Sequence, residues 1–207
     1  MMDIWQLETV KFDLKQNSWA WFRHRKNYVN ASEIGTIMHL NPYETATDLM
    51  KKKIWGSKFV MTEAIAHGKK MEPQANLWFC VQHKRNYEPL NFTRGILSAS
   101  LDGYHADSNS LLEIKCPLDP QGASWKEFFT DRTIPPYYWA QVQAQMFCSQ
   151  VTQAYFYVYV SQQENYTTEM TLDTAFCEKM YQAALTFETD LAALQAHFNT
   201  PTTTEKN

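Results

Sequence analysis

The chain has 207 residues, of which 44% are hydrophobic and 20% are charged, and its formal net charge is −3. Six glycines and eight prolines exclude a collagen-like or broadly disordered chain, and no stretch approaches the roughly 18 consecutive apolar residues of a membrane-spanning helix. Basic residues outnumber acidic ones by 14 to 9 in residues 1–94, whereas acidic residues outnumber basic ones by 13 to 5 in residues 95–207. This segregation suggests a surface that faces a polyanion, combined with a carboxylate site.

Four helices are predicted in the first half of the chain. Their approximate spans are 19–25, 32–40, 46–55 and 62–85, with N-caps at Ser18, near Ser32, at Thr45 or Thr47, and at Thr62. Gly56 is expected to end the third helix. Gly68 and Pro73 lie inside the fourth pattern, so we expect this helix to bend or break there.

The second half of the chain predicts strands as well as helices. Segments 95–102 and 111–116 flank the turn formers Asp107-Ser108-Asn109-Ser110, a pattern typical of an antiparallel hairpin. Helices follow at about 121–131 and 137–148, then a β-prone segment at 153–160 that could pair with 166–172, and a last helix over about 173–198. We therefore expect one α/β domain over residues 1–200, with helices around a short mixed sheet, and a frayed polar tail over 201–207.

The segment that carries chemistry is Asp102, followed after ten residues by Glu113-Ile114-Lys115. Residues two apart in a strand share a face, so Glu113 and Lys115 project together while Ile114 points into the core. In a hairpin, Asp102 can approach the same face. A hard divalent cation such as Mg²⁺ or Mn²⁺ would relieve the repulsion between the two carboxylates, and the lysine would hold or deprotonate a water aimed at a phosphodiester. The alternative is an inert surface hairpin with a Glu–Lys ladder.

Four blocks of the sequence carry a resemblance to a known family. They are WFRHR (21–25) with NASEIG (30–35), HGKKMEP (67–73), SASLDG (98–103) with EIKCP (113–117), and YYWAQVQAQM (137–146). In this order they resemble the lambda-exonuclease and YqaJ-type viral recombinase branch of the PD-(D/E)xK nuclease superfamily, over about residues 18–160. The sequence departs from the superfamily name at Leu101, where that name has proline.

The resemblance implies a restriction-endonuclease-like core and a metal site. It assigns Asp102, Glu113, Glu72 and the main-chain carbonyl of Ile114 as ligands of Mg²⁺, with Mn²⁺ able to substitute, and Lys115 as the catalytic lysine. Without the resemblance, Glu72 would be a surface acid of a helix or part of a helix-breaking Glu-Pro step.

A second group of residues is implied to hold the 5′-terminal phosphate of DNA. Its members are Arg25, Ser32, Ser100 and Gln141. A guanidinium fork, two hydroxyls and an amide suit a phosphate monoester. Their alternatives are a helix N-cap for Ser32, an ordinary strand residue for Ser100 and a helix-surface amide for Gln141.

The family implies a Mg²⁺-dependent 5′→3′ exonuclease that acts on double-stranded DNA ends and leaves 3′ single-stranded tails for phage-type homologous recombination. It also implies a ring-shaped homotrimer and a partner protein that anneals single strands. The start of the chain shows no secretory signal, so we expect a cytoplasmic protein in a bacterial host, without membrane contact. The alternatives are an endonuclease on the same fold and a catalytically idle protein that binds DNA ends.

Other motifs are uninformative or exclude a function. The four cysteines are 29 to 36 positions apart, which argues against structural zinc and against a clustered iron–sulfur site. No Gly-rich phosphate loop is present, so no ATP site is expected. The run 51–53 is read as a solvated helix face, with contact to a phosphate backbone as the alternative. The alternating tyrosines 155, 157 and 159 are read as sheet packing, with base stacking as the alternative.

Overall fold

The computed structural model describes residues 3–56 and 60–199. Its strands are β1 (Thr9–Phe12), β2 (Val29–Asn30), β3 (Glu88–Arg94), β4 (Leu97–His105), β5 (Ser110–Lys115), β6 (Gln153–Tyr159) and β7 (Asn165–Thr171). Its helices are α1 (Trp19–Arg25), α2 (Ile34–Ile37), α3 (Ala46–Trp55), α4 (Glu63–His83), α5 (Lys126–Asp131), α6 (Pro136–Ser149) and α7 (Thr174–Asn199).

The strands of these described residues form one mixed sheet in the order β1-β3-β4-β5-β6-β7, and β2 pairs in parallel with β4. The β3–β4, β4–β5 and β6–β7 pairs are antiparallel, and β5 pairs in parallel with β6. The predicted mixed α/β fold is therefore confirmed. The predicted hairpin is β4–β5, whose strands are joined through the expected turn.

Helix ends follow the capping residues in the sequence. The side chains of Ser18, Thr45 and Thr62 each accept a hydrogen bond from a main-chain N–H in the first turn of α1, α3 and α4. Gly56 ends α3 with a φ of 76°, a conformation that glycine adopts without strain. These three predicted helices are confirmed.

Three sequence expectations differ from the structure. The helix expected near Ser32 is a 3-10 turn (Ala31–Glu33) followed by the four-residue α2, and α5 begins only at Lys126. The helix α4 runs without a break through Pro73, which is exposed. The predicted tail 201–207 lies outside the described residues.

Strand β3 was not predicted from the sequence, although it lies inside the sheet, between the edge strand β1 and β4. Its second half buries Asn91, Thr93 and Arg94 in place of apolar residues. The Arg94 guanidinium is 3% exposed and donates to the main-chain carbonyls of Trp5, Leu7 and Phe147. Polar residues satisfied by distant main-chain groups give no alternating hydrophobic pattern, so local sequence does not reveal this strand.

The sheet separates two apolar clusters. Helix α6 contributes Ala140, Val142 and other residues to the larger cluster, and α4 contributes Ala75 and Phe79 to the smaller one. Tyr155, Tyr157 and Tyr159 of β6 belong to the smaller cluster and are at most 5% exposed. The sheet-packing reading of these tyrosines is confirmed, because buried rings cannot stack on nucleic-acid bases. Within the described residues, no helix is both long enough and apolar enough to cross a lipid bilayer.

Candidate active site

Strands β4 and β5 separate at one end of their hairpin, and Asp102 occupies the gap. Their pairing runs from His105 and Ser110 to Gly103 and Leu112 and stops there. One residue further, Asp102 Oδ2 accepts the Ile114 N–H over 2.7 Å. The carboxylate thus replaces a main-chain partner for an N–H that would otherwise be unsatisfied. This contact brings Asp102 beside Glu113 and Lys115.

The Glu113 carboxylate is buried, at 2% exposure, and receives three donors. Its Oε1 accepts from Lys115 Nζ over 2.5 Å and from Gln141 Nε2 over 2.6 Å, and its Oε2 accepts from Gln145 Nε2 over 2.6 Å. A buried carboxylate is costly unless it is hydrogen-bonded and paired with a cation. The two glutamine amides and the lysine ammonium supply the hydrogen bonds and the cation, and they hold Glu113 in one orientation.

Lys115 lies between this carboxylate and an aromatic ring. Its Nζ lies 4.5 Å from the ring centroid of Tyr138 on α6. Burial by itself lowers the pKa of Lys115, but the negative charge of Glu113, aided by Tyr138 and Asp102, outweighs burial, and the pKa is raised. In this structure Lys115 is therefore an ammonium ion, fixed by a carboxylate on one side and a ring face on the other.

Glu72 on α4 completes a group of three carboxylates. It lines a cleft of about 340 Å³ together with Ile114, Lys115 and Tyr138. Burial and the charge of Glu113 raise the pKa of Glu72, against the opposing effect of Lys115 and Lys69. Burial, Glu113 and Glu72 raise the pKa of Asp102 well above its usual range. Glu113 is thus close enough to disfavour the charged forms of both Glu72 and Asp102.

The donor atoms at this position fit a hard divalent cation. Across residues 3–56 and 60–199, no three His, Cys, Asp or Glu side chains are gathered into a ready-made metal cluster. The Oδ1 atom of Asp102 accepts no hydrogen bond from any residue of this described part, so it is available as a ligand. Carboxylate oxygens suit Mg²⁺ or Mn²⁺, and a cation would offset the burial and the neighbouring negative charge that raise the pKa values of Asp102 and Glu72.

Three of the four residues expected to hold a 5′-phosphate meet through Trp21. Arg25 Nη2 donates to Ser32 Oγ over 2.9 Å, and the guanidinium lies 4.6 Å from the centroid of the Trp21 ring. The indole N–H of Trp21 donates to Ser100 Oγ over 2.8 Å. Burial lowers the pKa of Arg25, partly offset by Glu33. The group presents a fixed guanidinium and two hydroxyls.

The fourth residue, Gln141, donates to Glu113. Its contact with a 5′-phosphate stays a prediction. The two groups are nevertheless adjacent, because Gln145 Nε2 donates both to Glu113 Oε2 and, over 3.1 Å, to the main-chain carbonyl of Ser100.

Sequence reasoning missed Gln145, Trp21 and Tyr138 as parts of the site. Gln141 and Gln145 are four residues apart on α6 and therefore share a helix face, which was an available signal. Trp21 and Arg25 have the same spacing on α1. Tyr138 gave no local signal, because its partner Lys115 comes from a distant strand.

The lysine run 51–53 makes internal ion pairs. Lys51 pairs with Asp48 and Lys52 with Glu44, and both lysines are exposed. Lys53 has a side chain only 12% exposed and pairs with Glu33 over 2.9 Å. The reading of the run as a solvated face is therefore correct for two of its lysines and wrong for Lys53.

A known protein family matches more than half of the chain. The YqaJ-like viral recombinase domain matches residues 20–152, a range that contains both groups of site residues. The chain belongs to this family. No curated protein sequence matches it.

This YqaJ-like chain shares its fold with solved structures of exonucleases. The alkaline exonuclease LHK-Exo from Laribacter hongkongensis superposes with a TM-score of 0.70 at 22% identity, covering 87% of this chain and 96% of that one. The same enzyme in complex with dAMP gives a TM-score of 0.73 at the same identity and coverage. A phage-related exonuclease from Haemophilus somnus gives 0.62 at 15% identity, covering 83% and 96%. These TM-scores establish a shared fold.

Proposed function

We propose that this chain is a divalent-metal-dependent deoxyribonuclease that digests one strand of duplex DNA in the 5′→3′ direction from a 5′-phosphorylated end. The observation that carries the proposal is the adjacency of two groups of side chains. One contains Glu72, Asp102, Glu113 and Lys115, and the other contains Arg25, Ser32 and Ser100. The first group suits hydrolysis of a phosphodiester, and the second suits recognition of a terminal phosphate.

The carboxylates of Glu72, Asp102 and Glu113, with the main-chain carbonyl of Ile114, would hold Mg²⁺, and Mn²⁺ is expected to substitute. Bound Mg²⁺ supplies Lewis acidity toward the phosphodiester. Lys115 contributes a fixed positive charge and N–H donors to a phosphate oxygen or to the attacking water. Glu113 and the Tyr138 ring restrict the position of Lys115, so little reorganisation is needed when the substrate binds.

The choice of DNA end is proposed to come from Arg25, Ser32 and Ser100. A terminal phosphate monoester carries up to two negative charges, whereas an internal phosphodiester carries one, so it binds a guanidinium more strongly. Because Arg25 lies over Trp21 and contacts Ser32, the guanidinium is already oriented before DNA arrives. This arrangement favours the exonuclease over the alternative, an endonuclease on the same fold, which has no need to recognise an end.

The reaction would leave 3′ single-stranded tails for homologous recombination of the phage type. We further propose that the chain forms a homotrimer and acts with a partner protein that anneals single strands. We also propose that residues 1–200 form one nuclease domain and that the protein acts in the cytoplasm of a bacterial host. The YqaJ-like viral recombinase match supports the recombination context.

The test uses the purified chain and a linear duplex whose two strands carry 5′-phosphates and are labelled at their 3′ ends with different dyes. We expect Mg²⁺ to release 5′ mononucleotides while each 3′ label stays on a progressively shorter strand, and we expect EDTA to stop the reaction. Retention of both full-length strands in Mg²⁺ and in Mn²⁺ would contradict the proposal and would favour an idle end-binding protein. Cleavage at internal positions would favour the endonuclease.

A further inference from the structure

The solvent-facing side of α1 has an unusual composition. Trp19, Phe22, Arg23 and Lys26 are spaced at positions i, i+3, i+4 and i+7 and therefore lie on one face of the helix. All four are exposed, and the two aromatic rings are large, with Trp19 75% exposed and Phe22 46% exposed. The segment from Trp19 to Lys26 contains no acidic residue. We call these four residues the outer face of α1.

The outer face is distinct from the side of α1 that packs on the protein. The packed side uses Trp21, His24 and Arg25, whose partners are Ser100, Ser98 and Ser32. Each side carries an aromatic ring and an arginine four residues apart. The inner pair, Trp21 and Arg25, is tied to the site by hydrogen bonds, whereas the outer pair, Trp19 and Arg23, presents its ring and guanidinium to solvent.

We propose that the outer face of α1 binds single-stranded DNA, with bases stacking on Trp19 and Phe22 and phosphates contacting Arg23 and Lys26. Exposed aromatic rings interleaved with cations are the combination that unpaired nucleic acid requires, because its bases offer free π-faces and its backbone is anionic. Duplex DNA hides its base faces within the stack, so it would use only the two cations of this surface.

The ring of Trp19 is already oriented for such a contact. The guanidinium of Arg23 lies 5.3 Å from its centroid, so the two groups support each other in the absence of ligand. An aromatic side chain with two rotatable bonds loses little conformational entropy on binding. A base stacking on the open face of this ring would therefore retain most of the interaction energy.

The location of the face indicates which single strand is bound. Arg25, assigned to the 5′-phosphate, lies on the same seven-residue helix, and a helix with its side chains is only about 10–12 Å across. Resting on the proposed function, we infer that the strand held here is the one left unpaired when its complement is digested. This contact would keep the single-stranded product away from the cleft that contains Lys115.

The test is direct binding of a 3′-fluorescein oligo(dT) of 12 nucleotides with a 5′-hydroxyl, measured by anisotropy in EDTA so that no hydrolysis occurs. We expect Trp19→Ala to weaken binding on the order of tenfold, which is within the range for loss of one stacked base. Trp19→Phe should retain most of the affinity. The matched control is Trp55→Ala, because Trp55 is also an exposed tryptophan, 62% exposed, on a different helix. It should bind as the wild type does.

A second measurement does not depend on a variant. Photocrosslinking of the wild-type chain to an oligonucleotide that contains 5-iododeoxyuridine should attach label to the peptide that holds Trp19. Wild-type affinity in Trp19→Ala, no measurable binding by the wild type, or crosslinks confined to other peptides would each overturn the inference.

Nuclease assays on 5′-phosphorylated duplex, run in parallel, separate this inference from the proposed function. If the chain binds oligo(dT) through Trp19 but never hydrolyses duplex ends, the proposed function fails and the surface assignment stands. If hydrolysis proceeds while Trp19→Ala binds normally, only the surface assignment fails.

Discussion

The side-chain amide of Gln145 donates to Glu113 Oε2 over 2.6 Å from a position that is only 1% exposed. The same nitrogen also donates to the main-chain carbonyl of Ser100, over 3.1 Å. One buried amide therefore connects the carboxylate group of the candidate active site to strand β4, where the side chain of Ser100 is held by Trp21. Glu113 depends on this contact for the orientation of its second oxygen.

The first prediction concerns this contact. Gln145→Met keeps the length of the side chain but removes the donor, and hydrogen bonds to a charged group contribute about 1.5–3 kcal/mol. We therefore expect kcat to fall on the order of 10- to 100-fold and the Mg²⁺ concentration for half-maximal rate to rise. Initial rates across a Mg²⁺ titration measure both.

The matched control is Gln143→Met. Gln143 lies on the same helix, is equally buried, and hydrogen-bonds Thr171 and Asp173 instead of the site. Both variants should lose stability, but only Gln145→Met should change the Mg²⁺ dependence. Equal kinetics in the two variants would show that Gln145 has a purely structural role.

The second prediction concerns Asp102 in the metal-free protein. Burial and its carboxylate neighbours raise its pKa in the folded state, so the native state binds a proton more tightly than the unfolded state does. Stability from this group is therefore present at low pH and is lost as the pH rises from about 4 through the folded pKa. Asp102→Asn can still accept the Ile114 N–H but carries no charge. In EDTA at pH 7 we expect its Tm to exceed that of the wild type by a few degrees.

The measurement is Tm against pH in EDTA for both proteins, repeated with Mg²⁺. The advantage of Asp102→Asn should shrink toward pH 4, and Mg²⁺ should raise the Tm of the wild type more than that of the variant. A Tm difference that is constant with pH would contradict a raised pKa of Asp102 in the folded protein. Nuclease activity of Asp102→Asn should be almost absent.

The third prediction concerns Lys115. Lys115→Ala removes the ammonium held by Glu113 and Tyr138, and we expect a loss in kcat of roughly 10²–10⁴-fold, typical of a lost acid–base group. Lys115→Gln should be similarly impaired, because it keeps the length but not the charge. Binding of 5′-phosphorylated duplex should persist, as judged by anisotropy. Lys51→Gln, which removes a charge from an exposed helix face, serves as the control, and normal cutting by Lys115→Ala would remove Lys115 from the mechanism.

Local sequence predicted the hairpin and the shared face of its polar residues because both depend on short-range pattern. The alternation of Ser98, Ser100 and Asp102 along β4, and of Glu113 and Lys115 along β5, follows from the two-residue period of a strand. The turn between these strands contains the polar residues Asp107, Ser108 and Asn109. These features need no knowledge of the rest of the chain.

Contacts between distant elements could not be predicted in this way. The buried guanidinium of Arg94 on β3 donates to the main-chain carbonyls of residues 5, 7 and 147. Tyr138 contacts Lys115 only because α6 packs on the sheet. The contact of Gln141 with Glu113 likewise depends on where α6 lies. Such contacts depend on tertiary packing, which single-sequence periodicity does not encode.

The central claim is recognition of a 5′-phosphorylated end, and Arg25 tests it most directly. Initial rates are measured for the wild type and Arg25→Ala on two linear duplexes that differ only in a 5′-phosphate or 5′-hydroxyl, with covalently closed circular DNA as a third substrate. Loss of one charge-assisted contact costs about 1.5–3 kcal/mol, so the wild type should prefer the phosphorylated end on the order of 10- to 100-fold. Arg25→Ala should lose most of that preference by slowing only the phosphorylated substrate, and closed circles should survive both proteins. Equal wild-type rates on the two linear duplexes, together with cutting of closed circles, would contradict the account.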